Sequence, residues 1–175
     1  RIAAGEADCV IGGDLVVTAG SKTLGLMHTG RTGAVVNAHE IMTGDFTRKR
    51  DFHLPVKGMR VALEARLKDR VTFFDATELA HHLLGDTIYS NMIVLGAAWQ
   101  QGMIPLSADA IRRAIEINGA AVQGNLRAFE IGRWAAAMPS EAGKFLAEDD
   151  VKPLTLAEKI DDRARRLTEY QDQAL

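Results

Sequence analysis

The stretch Gly30-Arg-Thr-Gly-Ala-Val-Val-Asn-Ala-His-Glu-Ile-Met-Thr43 decides the fold. Its centre, Ala34-Val35-Val36, is a short apolar run between turn-forming residues, and two of its three residues are β-branched. This pattern is typical of a buried strand. Polar residues follow the run at Asn37, His39 and Glu40. Because open α/β sheets bind ligands and partners beyond the carboxyl ends of their strands, we expect contacts at this strand end.

Runs of the same kind stand on both sides of this strand. Cys9-Val10-Ile11 precedes it as a second buried strand, and Val71-Thr-Phe-Phe-Asp75 follows it. Helical patterns lie between the strands, from Ser21 to His28 with Ser21 as the cap, and from about Val56 to Lys68. Strand, helix and strand in succession indicate parallel crossovers. The sequence therefore predicts an α/β fold with a short, mostly parallel sheet and flanking helices. We expect the sheet to be incomplete here, because three strands rarely stand alone with both faces covered.

Helical patterns fill the chain from Asp86 onward. We predict helices over about residues 86–102, 107–118 and 120–137, so that a helical cluster follows the strands. Within the first of these helices, Gly96-Ala97-Ala98 is a run of small residues that allows close packing.

The pattern predicts one domain and an appendage. Residues 1–138 form the domain, and residues 139–153, which are acidic and contain Gly and Pro, are interpreted as a linker. Residues 154–175 have the pattern of an amphipathic helix. Such a helix is not stable by itself, so it either packs back on the domain or begins the next region. Because the chain begins at Arg1 without a methionine, we expect it to be part of a longer protein.

Composition limits the classes of function. Hydrophobic residues make up 47% of the chain and charged residues 25%, which are ordinary globular values. The formal net charge of −2 gives no reason to expect a nucleic acid or an anionic membrane as partner. The sequence has no apolar run of the roughly 18 residues that a spanning helix needs, and no signal peptide opens it. The single Cys9 excludes an internal disulfide and a Cys-rich metal or iron–sulfur site. We expect a cytoplasmic protein.

Several polar groups are open to two interpretations. Gly12-Gly13 follows a strand and would suit a phosphate cradle, but the full glycine spacing of such loops is absent and a plain turn is favoured. His39 and Glu40 with His53 are residue types that bind zinc, although nothing in the sequence places them on one face. His81-His82 lies within a helix, so at most one ring faces inward. We expect no metal ligands and no catalytic residues.

For several further residues, a functional and a purely structural role are both compatible with the sequence. Arg48-Lys49-Arg50 could bind the phosphate of a nucleotide or of coenzyme A, while a solvated loop is the favoured interpretation. Asn37 ends a strand and Asn91 lies early in an apolar helix, and a buried amide at either position would tie neighbouring segments together. Cys9 is expected to be a small core residue and not a nucleophile.

A series of short segments carries a family resemblance. The segments are Ala7-Asp-Cys-Val-Ile-Gly-Gly-Asp-Leu-Val-Val17, Ser21-Lys22, Arg31-Thr-Gly-Ala-Val-Val-Asn-Ala-His-Glu40, Thr43-Gly-Asp-Phe-Thr-Arg48, Phe74-Asp-Ala-Thr-Glu78, Gly85-Asp-Thr-Ile88, Asn91-Met-Ile-Val-Leu-Gly96 and Asn125-Leu-Arg-Ala-Phe-Glu130. Together they resemble the indolepyruvate ferredoxin oxidoreductase family, over about Arg1 to Ala137.

The resemblance implies a 2-oxoacid:ferredoxin oxidoreductase. Such enzymes decarboxylate an aryl pyruvate on thiamine diphosphate, held with Mg, and pass electrons through iron–sulfur clusters to ferredoxin while an acyl-coenzyme A (acyl-CoA) forms. This chain would be most of the gamma-type catalytic domain, which packs on thiamine-binding domains of the same or a partner chain, within an oligomer, and helps enclose CoA. The family's Gly-rich opening loop, cysteine clusters and thiamine motif are absent from the sequence. We therefore expect the chain by itself to bind no cofactor and to be inactive.

Four residues are the predicted cofactor contacts. They are Arg31, Asn37, His39 and Glu40, which we place together at the end of the decisive strand as contacts and not as catalysts. Two other functions stay open at this point. One is a non-catalytic, Rossmann-like nucleotide- or coenzyme-binding module, and the other is a purely structural interaction domain.

Overall fold

A computed structural model of the 175-residue chain describes residues 2–39 and 56–148. The chain divides into two compact units, Arg1–Ala142 and Gly143–Leu175. The first unit contains the sheet and most of the helices. Of the second unit, only the first six residues are described, and they continue a helix. Among the described residues, no helix is both long and apolar enough to cross a membrane.

Three strands form a parallel sheet in the order β1-β2-β3. They are β1 (Cys9–Gly12), β2 (Gly33–Asn37) and β3 (Val71–Phe74). All five residues of β2 are buried, as expected for a central parallel strand covered on both faces. The predicted α/β class and parallel sheet are confirmed. The prediction that β1 is a buried strand is wrong for Ile11, which is 42% exposed because β1 is an edge strand of this sheet.

Helices surround and follow the strands. They are α1 (Leu15–Thr18), α2 (Ser21–Leu26), α3 (Val56–Leu67), α4 (Ala76–Leu84), α5 (Ser90–Gln100), α6 (Ala108–Asn118), α7 (Val122–Ala137) and α8 (Pro139–Glu148), with short 3-10 turns at Lys68–Arg70 and Thr87–Tyr89. Ser21, predicted to cap α2, is instead its first residue, and the cap position is taken by Gly20.

The sheet is covered on both faces. On one face, α1 contacts β2 and α3 contacts α1 and β3, and side chains of these elements form a buried apolar cluster. Its buried members are Leu15, Met27, Ala34, Val36, Leu63 and Leu67. The side chain of Val35 points to the opposite face because residues alternate along a strand. Helix α5 contacts β1 and β2 and covers that second face.

The helical layer is centred on α5 and α7. Gly96 of α5 faces the carbonyl oxygen of Phe129, and Gly132 of α7 faces that of Ile93, so closely that a Cβ at either glycine would clash with backbone. The Phe129 ring is fully buried and lies 5.9 Å from the ring of Trp99, centroid to centroid. The prediction that small residues around Gly96 allow close helix packing is confirmed.

The segment 139–153, interpreted as a linker, begins as a helix in the structure. Helix α8 starts at Pro139, whose fixed φ and missing N–H suit the first turn of a helix. Residues 149–153 and the predicted helix over 154–175 lie outside the described residues. The division of the chain into domain, linker and terminal helix therefore stays a prediction.

Candidate functional site

The carboxyl ends of the three strands form one edge of the sheet. Because the strands are parallel, the residues that follow them meet there, and they are Gly13 after β1, Ala38 after β2 and Asp75 after β3. The backbone N–H of Ala38 still donates to the carbonyl oxygen of Phe74, at 2.9 Å, so the β2–β3 pairing extends to this edge. We refer to this region as the carboxyl edge.

Asn37 connects the three strand ends. Its side chain is buried, with 3% of the residue exposed. Nδ2 donates to the Gly13 carbonyl oxygen at 3.2 Å and to Oγ1 of Thr77 at 2.8 Å. Oδ1 accepts from the backbone N–H groups of Ala76, at 3.0 Å, and His39, at 3.3 Å. Both amide donors and both acceptor positions are thereby used within the protein. Asn37 holds the carboxyl edge together, in agreement with the structural role that a buried amide at a strand end indicates.

His39 lies beside two carboxylates at the same edge. Its Nδ1 is 3.0 Å from Oδ2 of Asp75 and 3.9 Å from Oε1 of Glu78. The other oxygen of Glu78 lies 3.2 Å from Nε2 of His82, one turn later in α4. About a quarter of each side chain of His39, Asp75 and His82 is exposed. The cluster is therefore open to small ions and solvent without being on a freely solvated surface.

Asp75 and Glu78 were missed as site residues. Asp75 caps α4, because its Oδ1 accepts from the backbone N–H of Glu78 at 2.8 Å. The second carboxylate oxygen, Oδ2, faces His39. The sequence feature that could have identified Asp75 is the parallel order of the strands, because it places the first residue after β3 next to the residues after β2.

Arg31 lies at the opposite edge. It precedes β2, whose five residues span about 13 Å at about 3.3 Å per residue, so its backbone lies more than about 13 Å from the carboxyl edge. Its Nε pairs with Oδ1 of Asp8 at 2.9 Å. Arg31 and Asp8 line an open cavity of about 430 Å³, together with Arg70 and Thr72. The expectation that Arg31 shares one strand end with the other predicted contacts is wrong.

The loop after β1 is a turn and does not resemble a phosphate cradle. The carboxylate of Asp14 caps α1 by accepting from the backbone N–H of Val17 at 2.8 Å. A carboxylate at that position repels a phosphate, and a four-residue helix has little dipole to offer one.

Asn91 is exposed at the start of α5, so the prediction of a buried amide there is wrong. Its Oδ1 lies close to Gly13 instead.

Cys9 has the environment of a structural thiol. It is partly buried at the start of β1, and burial raises the pKa of its thiol above the ordinary value of 9.0. A raised pKa keeps the sulfur protonated at neutral pH, and the thiol is a poor nucleophile. Glu40, the remaining predicted contact, lies outside the described residues, as do the weaker candidates His53 and Arg48-Lys49-Arg50.

Comparison with known proteins identifies the family. The family model described as pyruvate ferredoxin/flavodoxin oxidoreductase matches residues 1–135. No curated protein and no solved structure matches the chain significantly. The match takes in β1 to β3 and almost all of the helical layer, which together make up most of the chain. The chain therefore belongs to the pyruvate ferredoxin/flavodoxin oxidoreductase family and is a component of a 2-oxoacid:ferredoxin oxidoreductase.

Proposed function

We propose that the chain is the gamma-type domain of an indolepyruvate-specific enzyme of this family. In the proposal it docks on the thiamine-binding domains and lines the CoA side of their site. The observation that carries the proposal is the family match over residues 1–135, joined to the resemblance of segments along the same range to the indolepyruvate type. Enzymes of the family use thiamine diphosphate and iron–sulfur clusters and transfer electrons to ferredoxin.

The chain's own residues do not fit an iron–sulfur cluster. Such clusters are held by several Cys thiolates, and Cys9 is the single cysteine of the sequence. Other domains or chains of the enzyme must therefore supply the clusters. The work that we assign to this chain is binding and positioning.

The two edges of the sheet differ in this proposal because, among the described residues that we place at them, guanidinium groups lie at the edge opposite the carboxyl edge. The carboxyl edge presents Asp14, Asp75 and Glu78, so it does not favour the phosphates of CoA. The opposite edge offers the guanidinium groups of Arg31 and Arg70 on one cavity, which Asp8 and Asp69 also line, so a phosphate would have to replace Asp8 as the partner of Arg31. A guanidinium binds phosphate through paired hydrogen bonds. We therefore propose Arg31 as the CoA contact and the carboxyl edge, stabilised by Asn37, as the side toward the thiamine-binding domains.

The test is a comparison of 2-oxoacids on the assembled enzyme. Indolepyruvate with CoA should reduce ferredoxin and give an acyl-CoA with a higher kcat/KM than pyruvate, and omission of this chain should abolish turnover. Arg31→Gln should raise the KM for CoA about tenfold with kcat nearly unchanged, because a charge-assisted hydrogen bond made equally in substrate complex and transition state is lost.

Arg113→Gln is the matched control. Arg113 is another exposed arginine in a single ion pair, with Glu116 at 2.9 Å, and it lies in α6, away from both edges of the sheet. Its substitution should leave the KM for CoA unchanged. A preference for pyruvate would contradict the indolepyruvate assignment. An unchanged KM for CoA in Arg31→Gln would contradict the CoA contact alone.

A further inference from the structure

We propose that His39, Asp75 and Glu78 form a binding site for a divalent transition-metal ion. One ligand atom from each of the three residues lies within 4.8 Å of the others. The Nδ1 of His39 is 3.0 Å from Oδ2 of Asp75 and 3.9 Å from Oε1 of Glu78. Two ligands of a tetrahedral zinc ion are about 3.4 Å apart. The two distances from His39 bracket that value, and the two carboxylate oxygens lie within 4.8 Å of each other, so side-chain adjustments can bring all three donors to one ion.

The surrounding hydrogen bonds hold the donors in place. Oδ1 of Asp75 is engaged by the backbone N–H of Glu78, which leaves Oδ2 directed at His39. The backbone N–H groups of His39 and Ala76 both donate to Oδ1 of Asn37. The two segments that carry the ligands are therefore fixed to one buried amide. Metal sites are characteristically supported in this way, by hydrogen bonds that orient the ligating side chains.

The donor set indicates the class of metal. One imidazole and two carboxylates favour Zn²⁺ and similar first-row divalent ions over Ca²⁺ and Mg²⁺, which prefer oxygen ligands alone. His82, whose Nε2 lies 3.2 Å from Oε2 of Glu78, is placed to hold that carboxylate or to bind as a further ligand. Because the donors are about a quarter or more exposed, water can complete the coordination.

The three ligands come from different parts of the sequence, the end of β2 and the start of α4. A bound ion would cross-link these segments at the edge that we assign to docking. The metal site itself depends only on side chains of this chain. Its test therefore stands apart from the test of the proposed function.

The experiment is a zinc titration of the full 175-residue chain after treatment with a chelator. Zn²⁺ competes with a chromophoric chelator, and Co²⁺ is titrated in parallel because its visible bands report the coordination geometry. We expect a single equivalent of each ion to bind. His39→Gln and Asp75→Asn should each weaken Zn²⁺ binding by at least about tenfold. Asp75→Asn is expected to fold, since Asn is an equally good helix cap.

Two control variants give the test its specificity. His28→Gln removes an exposed imidazole near the opposite edge and should leave binding unchanged. His81→Gln tests the neighbouring group of Glu78, His81 and His82, whose ligand atoms also lie within 4.8 Å of one another. Loss of binding in His81→Gln, with normal binding in Asp75→Asn, would overturn the proposed site in favour of that group. Absence of stoichiometric Zn²⁺ binding by the unaltered chain would overturn it as well.

Discussion

Asn37 is the residue on which the geometry of the carboxyl edge depends. Its amide makes four hydrogen bonds, and one of the donors, the backbone N–H of Ala76, is buried. Substitution by alanine leaves that donor without its partner, and an unsatisfied buried group costs about 1–3 kcal/mol. We therefore expect Asn37→Ala to lower the free energy of unfolding by about 2–3 kcal/mol, measured by urea denaturation.

Asn91→Ala is the control for this prediction. Asn91 lies near the same edge but is exposed, and substitutions of such surface residues usually change stability by less than about 0.5 kcal/mol. If both substitutions lowered the free energy of unfolding equally, the hydrogen bonds of Asn37 would contribute no more to stability than an exposed side chain at the same edge.

The sequence predicted the importance of Asn37 but not its partners. An amide at the end of a buried strand must have hydrogen bonds, which is why the sequence indicates a structural role for it. The partners Gly13, Ala76 and Thr77 are about 24 to 40 residues away in sequence, and the order of the strands decides that they meet. Arg31 is the opposite case. It is only six residues from Asn37 in sequence, yet β2 lies between them, so the two residues are at opposite edges of the sheet.

At the scale of elements, helices α5 and α7 depend on two glycines. A Cβ at Gly96 or at Gly132 would meet the backbone of the opposite helix, which cannot move away as a flexible side chain can. Alanine favours a helix by about 1 kcal/mol over glycine, yet overpacking costs about 1–3 kcal/mol or more. Because the clash is with backbone, the overpacking cost lies at the upper end of that range, and we expect Gly96→Ala and Gly132→Ala each to lower the free energy of unfolding by about 2 kcal/mol net.

Gly25→Ala is the matched substitution in open space. Gly25 lies in α2, and a Cβ there would meet nothing within 4 Å. The same exchange should therefore stabilise the chain by up to about 1 kcal/mol, because only the helix preference remains. Urea unfolding of the three variants shows directly whether each substitution raises or lowers the free energy of unfolding. Stabilisation by Gly96→Ala would contradict the close approach of α5 and α7.

Strands were predicted more accurately than short helices. Val35 and Phe73 belong to β-branched or aromatic runs with turn residues on both sides, and such runs form strands wherever both faces are covered. Helix α1 has only four residues, too few for a periodic pattern. Helix α8 is not predicted by the sequence, because the acidic residues and the Gly and Pro of 139–153 indicate a linker, although proline is equally suited to begin a helix.

At the scale of the molecule, the first compact unit should fold by itself. The buried hydrophobic residues of the described chain all lie between Ala7 and Ala142, and the unit Arg1–Ala142 contains every one of them. A chain that ends after Glu148 should therefore keep its free energy of unfolding within about 0.5 kcal/mol of the full chain, since no described core residue is removed. The fluorescence of Trp99 and Trp134, both within this unit, follows the urea transition.

A chain that ends after Asn118 is the contrasting variant. It lacks α7, and with it the fully buried Phe129 and the close contact of Gly132 with α5. Loss of a buried phenylalanine alone typically costs about 3–5 kcal/mol. The other contacts of α7 add to this cost, so loss of the whole helix should cost more than the total free energy of unfolding of an ordinary domain. We expect this variant not to fold. A loss of more than about 2 kcal/mol in the chain ending after Glu148 would contradict independent folding of the first unit, because its stability would then depend on residues 149–175.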